Sequence, residues 1–416
     1  MIRGIRNIQD VAAWRMCMGC GTCLAACTKS GVELVNIESE GIRPKFRNEV
    51  CSNCVDCLDV CPGYRLNADL VMDGRVKTTE ADHEFGQVLE MWEGYAADPE
   101  TRYQASSGGL LSALSIYCLE REGMRFALHT GMDPDKPWLN RTFQSRTRED
   151  ILSRCGSRYA PASPCDGLKA IEESEGPCVF IGKPCDTAGA SMLRRKRPGL
   201  DRNLGIVLSF CCAGTPSTLG TLDLLKFLEV ETDRIERLRY RGEGWPGGFR
   251  VSFADSAQNR FLPYMESWSR LTKYVPLRCR LCPDGLGRLS DIACGDAWES
   301  YRDGSGDAGR SIVLVRTRRG QEILRRAIEA GYVQVEPIEA RAVLAAQRNM
   351  LQKRRQLFGR LLAMRLFLVP VPRFEGFSLL RSWARLSLGD QVRSLLGTMR
   401  RVALRGLWHA EERKTP

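Results

Sequence analysis

Eight cysteines in the first 61 residues, set in two runs of identical spacing, constrain this chain more than any other feature. The first run is Cys17-x2-Cys20-x2-Cys23-x3-Cys27, and the second is Cys51-x2-Cys54-x2-Cys57-x3-Cys61, followed by Pro62. Bacterial chains that hold two cubane iron–sulfur clusters use this spacing. A cubane needs four converging thiolates. Three close cysteines wrap three corners through a tight loop, and the fourth, beyond a short turn, reaches the other cluster. One cluster then takes Cys17, Cys20, Cys23 and Cys61, and the other takes Cys51, Cys54, Cys57 and Cys27. Gly19 and Gly21 let the first loop turn. Thr28 stands where a proline is usual, which alters a turn and not a ligand. Zinc also uses Cys-x2-Cys pairs, but two complete four-cysteine runs favour iron–sulfur.

Two adjacent clusters form an electron relay, so the remaining chain is expected to hold a redox cofactor. Its 416 residues allow two or three domains, and its 18 cysteines are too dispersed for a short secreted disulfide scaffold. Met1 to Met16 contain no apolar leader and no run of 18 apolar residues exists, so a cytoplasmic protein is expected. The net charge of +11 is concentrated at one end: Leu351 to Pro416 hold 14 Lys/Arg against 4 Asp/Glu. The nearly neutral remainder argues against nucleic acid as a partner.

Residues 66–86 read as a polar linker. From Val88 onward, short apolar strands (Val88–Tyr95, Met124–His129, Cys178–Ile181, Leu204–Phe210) alternate with helices (Gly108–Glu122, Thr187–Arg197, Ser217–Glu229), an α/β rhythm. A strand-rich stretch at Arg237–Phe253, a strand at Ile312–Thr317 and a helix at Gln321–Ala330 follow. Three loops carry chemistry. Ser106-Ser107-Gly108-Gly109 opens a helix, as an anion site or as a plain N-cap. Gly182-Lys183-Pro184-Cys185-Asp186 follows a buried strand, where α/β folds bind ligands; a turn with a buried thiol is the alternative. In the third, Cys279, Cys282 and Cys294 form a candidate third cluster, while Asp291 and Asp296 are placed to orient a substrate or cofactor.

Gly242-x-Gly244-x2-Gly247 imitates a dinucleotide fingerprint, but Trp245-Pro246 interrupts it and a strand follows, so a hairpin tip is expected. With only three histidines (His83, His129 and His409), histidine-based hydrolysis has little to work with.

Taken in order, Ser-Ser-Gly-Gly (106–109), Gly-Lys-Pro-Cys (182–185), Phe-Cys-Cys-Ala-Gly-Thr-Pro-Ser (210–217), Cys-x2-Cys-Pro-Asp (279–284) and Asp-Ile-Ala-Cys-Gly-Asp-Ala-Trp (291–298) resemble the coenzyme F420 hydrogenase/dehydrogenase beta-subunit family. The resemblance runs from about residue 2 to residue 345. Beside the ferredoxin-like module that the cysteine spacing gives over 1–65, it implies an α/β FAD-binding redox domain over 87–345; residues 346–416, beyond the resemblance, read as a basic helical tail. It also implies that Ser107, Gly108 and Gly109 lie near the FAD phosphates and Gly182, Lys183, Pro184 and Cys185 near the flavin. The Arg239–Gly247 loop and the Cys-Pro-Asp-Gly run look like those of bacterial members found beside surface-polysaccharide genes; no residue identifies F420 itself. The function implied is an iron–sulfur flavoprotein oxidoreductase linking a carrier such as ferredoxin, or F420, to a small organic substrate. The alternative is an electron-transfer subunit whose substrate site lies in a partner.

In the tail, Leu357, Leu361, Met364 and Leu368 share one helical face, and Leu388, Val392, Leu395, Leu396, Met399 and Ala403 share another, with arginines between. Packing on the body with solvated arginines is expected. Contact with a membrane surface or a partner protein is the alternative.

Overall fold

The computed structural model describes residues 4–47, 51, 54–70, 84–254, 256–301 and 308–411. Most of the expected linker, residues 71–83 including His83, lies outside the described residues. The strands are β1 (Val32–Ile37), β2 (Gly41–Phe46), β3 (Arg65–Asn67), β4 (Glu90–Ala96), β5 (Ala127–Met132), β6 (Asn140–Ser145), β7 (Cys178–Gly182) and β8 (Leu204–Phe210). They continue with β9 (Ile235–Arg239), β10 (Gly248–Phe253), β11 (Ser256–Pro263), β12 (Ile292–Asp296), β13 (Ser311–Val315), β14 (Val333–Pro337) and β15 (Arg373–Glu375).

Eight strands form one mixed sheet in the order β14-β4-β13-β12-β8-β7-β5-β6. Its centre, β12-β8-β7-β5, is parallel, and antiparallel strands flank it on both sides. The sequence explains the split. β8 and β13 are almost continuous apolar runs, as strands covered on both faces must be. Alternation then divides the side chains. Val179, Ile206, Leu208, Ile292 and Val313 pack under the helices Leu110–Glu120 and Arg318–Glu329. Leu128, Phe180 and Val207 face the opposite layer. The helix Pro184–Arg194 makes the crossover from β7 to β8.

Two smaller units decorate this sheet. The hairpin β9–β10 and β11 form a three-stranded sheet, and Gly242, Gly244 and Gly247 lie in its tip, as expected. The N-terminal segment carries the hairpin β1–β2 and the cysteine runs around a small core of Ile5, Ile8, Val11 and Leu58. The tail wraps this segment. β15 pairs in parallel with β3, Arg15 bonds Glu411 at 2.7 Å, and Trp14 packs against the core of the tail.

One expectation about the tail is corrected. Leu357, Leu361 and Met364 are buried, but Leu368 lies beyond the helix Leu357–Leu366 in a left-handed conformation and is 72% exposed.

Candidate functional site

The first cysteine loop turns at Gly21, whose φ of +89° suits glycine; a Cβ there would sit 2.8 Å from the Ser163 carbonyl. That contact is one of several between the loop and the 163–167 turn. Ser163 Oγ donates to the Gly19 carbonyl at 2.6 Å, and the Cys165 amide donates to the Cys20 carbonyl at 3.1 Å. Cys17, Cys20, Cys23 and Cys61 are all buried. Cys23 has Cys20, Cys17 and Cys61 as electrostatic neighbours, and burial pushes its thiol up. Cys20 differs: it is pulled down to about 7, chiefly by its hydrogen bond with Cys165, with Thr22 Oγ1 (3.2 Å) assisting against burial and Asp186.

Cys27, Cys51, Cys54 and Cys57 are half-buried and together line one pocket with Asn7, Lys29 and Phe46. Burial pushes Cys57 up to about 11, with Cys54, Cys27 and Cys51 adding to it. Backbone amides point at one sulfur of each ligand set, Gly19 to Cys17 and Gly31 to Cys27, each at 3.3 Å. Amide donors of this kind suit cluster thiolates. Among the described residues no three acidic, cysteine or histidine groups gather tightly enough for a single metal ion. A cubane makes a different demand, because it spreads its ligands over four irons.

The Gly182–Asp186 loop lies directly behind Cys20. Asp186 is fully buried, and its Oδ2 accepts from the Lys183 amide (2.8 Å) and Nζ (2.7 Å). Lys183 Nζ also donates to the Ala162 carbonyl at 3.1 Å, and Cys165 donates to the Asp186 carbonyl at 3.2 Å. On Gly189, one turn on, a Cβ would meet Thr22 Oγ1 at 2.0 Å, so only glycine lets the N-terminal segment approach.

Cys185 opens a second group of thiols. Burial pushes it up, Asp186 adds and Lys183 opposes, and Cys212 and Cys20 are its next neighbours. Cys212 follows β8, and its amide donates to the Gly285 carbonyl at 2.8 Å. Burial drives Cys212 up to about 12, with Cys279, Cys282, Lys353 and Lys183 around it. Lys353 Nζ donates to the Ala213 and Cys279 carbonyls at 3.0 and 3.3 Å. Cys279 and Cys282 therefore face Cys212, and beyond it Cys185. Cys294, expected beside them, is in the middle of β12 and packs into the core with Ile292 and Val313. Strand alternation, invisible in chain proximity, sends it there. Sequence reasoning missed Cys212. The signal was available: Cys185 and Cys212 each lie just past the end of an apolar strand, and strand carboxyl ends converge in a parallel sheet.

The other expected cofactor contacts are engaged within the protein. Ser107 Oγ donates to the Arg310 carbonyl, and the Gly108 amide donates to Ser311 Oγ, both at 2.9 Å. Gly109 caps the helix Leu110–Glu120 and Pro184 starts its own; Gly182 packs against Asp186. Asp291 joins β8 to the loop after β13, accepting from the Val207 amide (2.7 Å) and Thr317 Oγ1 (2.6 Å). Asp296 holds Arg241 in a two-pronged pair of 2.7 and 2.9 Å. Lys183, Asp291 and Asp296 are thus held by neighbours within the protein, as are the Ser107 hydroxyl and the Gly108 amide.

A partly parallel sheet with thiols at its carboxyl edge, closed by a cysteine-rich segment, defines an α/β redox protein. Residues 91–170 match "Coenzyme F420 hydrogenase/dehydrogenase, beta subunit N-term", and residues 177–341 match the C-terminal part of the same subunit. These spans are more than half of the chain, which belongs to this family. The coenzyme F420 hydrogenase subunit beta of Methanosarcina barkeri is 27% identical, over 62% of this chain and 85% of its own. The F420-dependent formate dehydrogenase 1 subunit beta of Methanococcus maripaludis is 26% identical, over 59% of this chain and 61% of its own. A chain of the F420-reducing [NiFe] hydrogenase complex from Methanosarcina barkeri shares the fold, with a TM-score of 0.50 and 20% identity, over 68% of this chain and 96% of that one. The chain is therefore a redox protein of the oxidoreductase kind. Among its described residues no helix is long and apolar enough to cross a membrane.

Proposed function

We propose that the chain is the electron-relay subunit of a larger redox assembly. Two ferredoxin-type [4Fe–4S] clusters are assigned to Cys17, Cys20, Cys23 and Cys61 and to Cys27, Cys51, Cys54 and Cys57, within a module spanning 1–65. A third is assigned to Cys185, Cys212, Cys279 and Cys282 in the α/β body over 87–345. The observation that carries this reading is the seam at Cys20, where Thr22, Cys165 and Asp186 tie the first run to the loop that bears Cys185.

Clusters supply one-electron transfer. The chain's own groups set its terms. Lys183 and Lys353 offset the negative charge of the third thiol group, and Thr22 and Cys165 bond the innermost ligand. The half-buried outer set faces an external carrier, such as a ferredoxin or an F420-linked chain. Relatives named as subunits favour a partner that holds the substrate site. The relay is argued from the chain's own thiols, and no step is routed through FAD.

Anaerobic purification with iron, sulfide and flavin quantification tests the assignment. About twelve irons per chain are expected, falling to about eight in Cys212→Ser and unchanged in Cys294→Ser. An eight-iron native chain would remove the third site. A chain that turns over an organic substrate unaided would replace the relay reading with an enzyme.

A further inference from the structure

The last helix, Leu388–Leu404, is built inside out. The residues it buries are Ser394, Thr398 and Val402. It lies so close to the helix Leu357–Leu366 that a Cβ on Gly359 would sit 2.3 Å from Ser394 Oγ. Its larger apolar side chains point to solvent: Leu388 is 79% exposed, Val392 53%, Leu396 54% and Leu404 74%. A helix that merely covers a core shows the reverse pattern. Eight of the fifteen exposed large apolar side chains among the described residues lie beyond residue 365, so the feature is local and not a general property of the surface. Leu366 and Leu368 are exposed beyond the carboxyl ends of this helix pair, where Trp408 stacks on Phe367 with ring centres 6.2 Å apart.

Charge decides what covers this face. Arg393 and Arg400 are exposed on the flank of this stripe, Arg381 and Arg385 are exposed on the segment just before the helix, and Arg401 turns the other way, toward Arg280. Asp390 is the helix's one acidic residue, and Arg393 already pairs with it at 2.9 Å. Protein interfaces are anchored by aromatic residues in shaped pockets. This stripe is aliphatic and convex, and it is flanked by guanidiniums, which bind phosphate oxygens well. Seventeen residues also make a helix about 25 Å long, enough to lie in a bilayer interface.

We propose that the C-terminal helix Leu388–Leu404 is an in-plane seat on an anionic lipid bilayer, with Leu388, Val392 and Leu396 entering the headgroup–acyl boundary and the flanking arginines meeting lipid phosphates. The inference goes beyond the electron-relay reading and is independent of it, since the tail lies outside the residues matched to the family.

Vesicle flotation of the full chain, purified with its cofactors, tests the seat. Phosphatidylcholine vesicles with and without one third phosphatidylglycerol serve as probes. The chain is expected to float with the anionic vesicles and to stay behind with the neutral ones. The bound fraction should fall with salt and drop about tenfold or more in Val392→Asp/Leu396→Asp. Arg393→Gln/Arg400→Gln should weaken binding to the anionic vesicles alone. Circular dichroism and iron content should be unchanged in both variants, because every altered side chain faces solvent. Equal recovery with both vesicle types, or none with either, would overturn the proposal. So would a dimer in lipid-free buffer that Val392→Asp/Leu396→Asp converts to monomer, because the stripe would then belong to a second copy of the chain.

Discussion

Cys17, Cys20, Cys23 and Cys61 are between 7 and 9% exposed and are backed by the Ser163–Gly167 turn and the Asp186 loop. Cys27, Cys51, Cys54 and Cys57, spaced in the same way, are half-buried around an open pocket. Equal ligand spacing thus meets unequal surroundings. Burial disfavours added negative charge, while hydrogen bonds to sulfur favour it. The inner set has deep burial together with the Thr22 and Cys165 bonds to Cys20, whereas the outer set is half-exposed and keeps the Gly31 amide on Cys27. In the proposed relay, two stations that share one sequence pattern would differ through their surroundings in the body and not through their ligands.

The largest test removes one ligand from each set. Cys23→Ser and Cys54→Ser should each lose about four irons per chain. Only Cys23→Ser should also lower the thermal midpoint, because it leaves a hydroxyl without a ligand in the apolar core of the segment. Equal midpoints would erase the distinction between the two sets.

Acid should act on the inner set through its scaffold. His129 on β5 is buried, with its Nε2 2.7 Å from Ser145 Oγ, and burial and then Arg154 pull it from 6.5 down to about 4. The unfolded chain therefore binds the extra proton between pH 6.5 and 4. The stability contribution is complete above pH 6.5 and is lost as pH falls toward 4, by about 2 kcal/mol between pH 7 and 5. β5 supports the turn that bears Cys165, since a Cβ on Gly167 would meet Leu128 at 2.6 Å. Urea midpoints at the two pH values should differ less in His129→Gln than in the native chain.

A subtler change targets the approach of the two segments. Gly189→Ala places a methyl on Thr22 and should cost about 1–3 kcal/mol. Electron exchange between the module and the body should slow, while the outer set keeps its iron, as followed by stopped-flow bleaching. The smallest expected effect is that of Thr22→Val. Losing one hydrogen bond of about 1 kcal/mol should lower the inner potential by roughly 40 mV and leave the outer one in place; equal shifts in both would undo the comparison.

Much of this molecule is legible in its sequence because the signals are local. The two cysteine runs, the β7 and β8 runs and the hairpin tip at Gly242–Gly247 depend on neighbours within a few residues. The helices expected at Gly108–Glu122 and Ser217–Glu229 are found at Leu110–Glu120 and Thr218–Phe227. What escaped depends on the sheet. Cys185 and Cys212 approach one another because β7 and β8 are parallel neighbours, a pairing that no window of sequence contains. Cys294 was grouped with Cys279 and Cys282 because they are close along the chain, whereas strand alternation decided its place. The apolar face of Leu388–Leu404 was legible as a face, but its direction was not. Gly359 and Ser394 fixed that through close helix contact.

The pairing of β15 with β3, and of Glu411 with Arg15, sets an order of events in biosynthesis. Arg65 and its partner Glu375 are separated by 310 positions, so at ordinary synthesis rates the latch emerges roughly 15 to 60 s after the segment it closes. The inner thiols gain the Ser163–Gly167 turn and the Asp186 loop earlier in that interval, and the tail docks beside them afterwards. In the proposed relay, that interval is a window for cluster loading before β15 docks on β3.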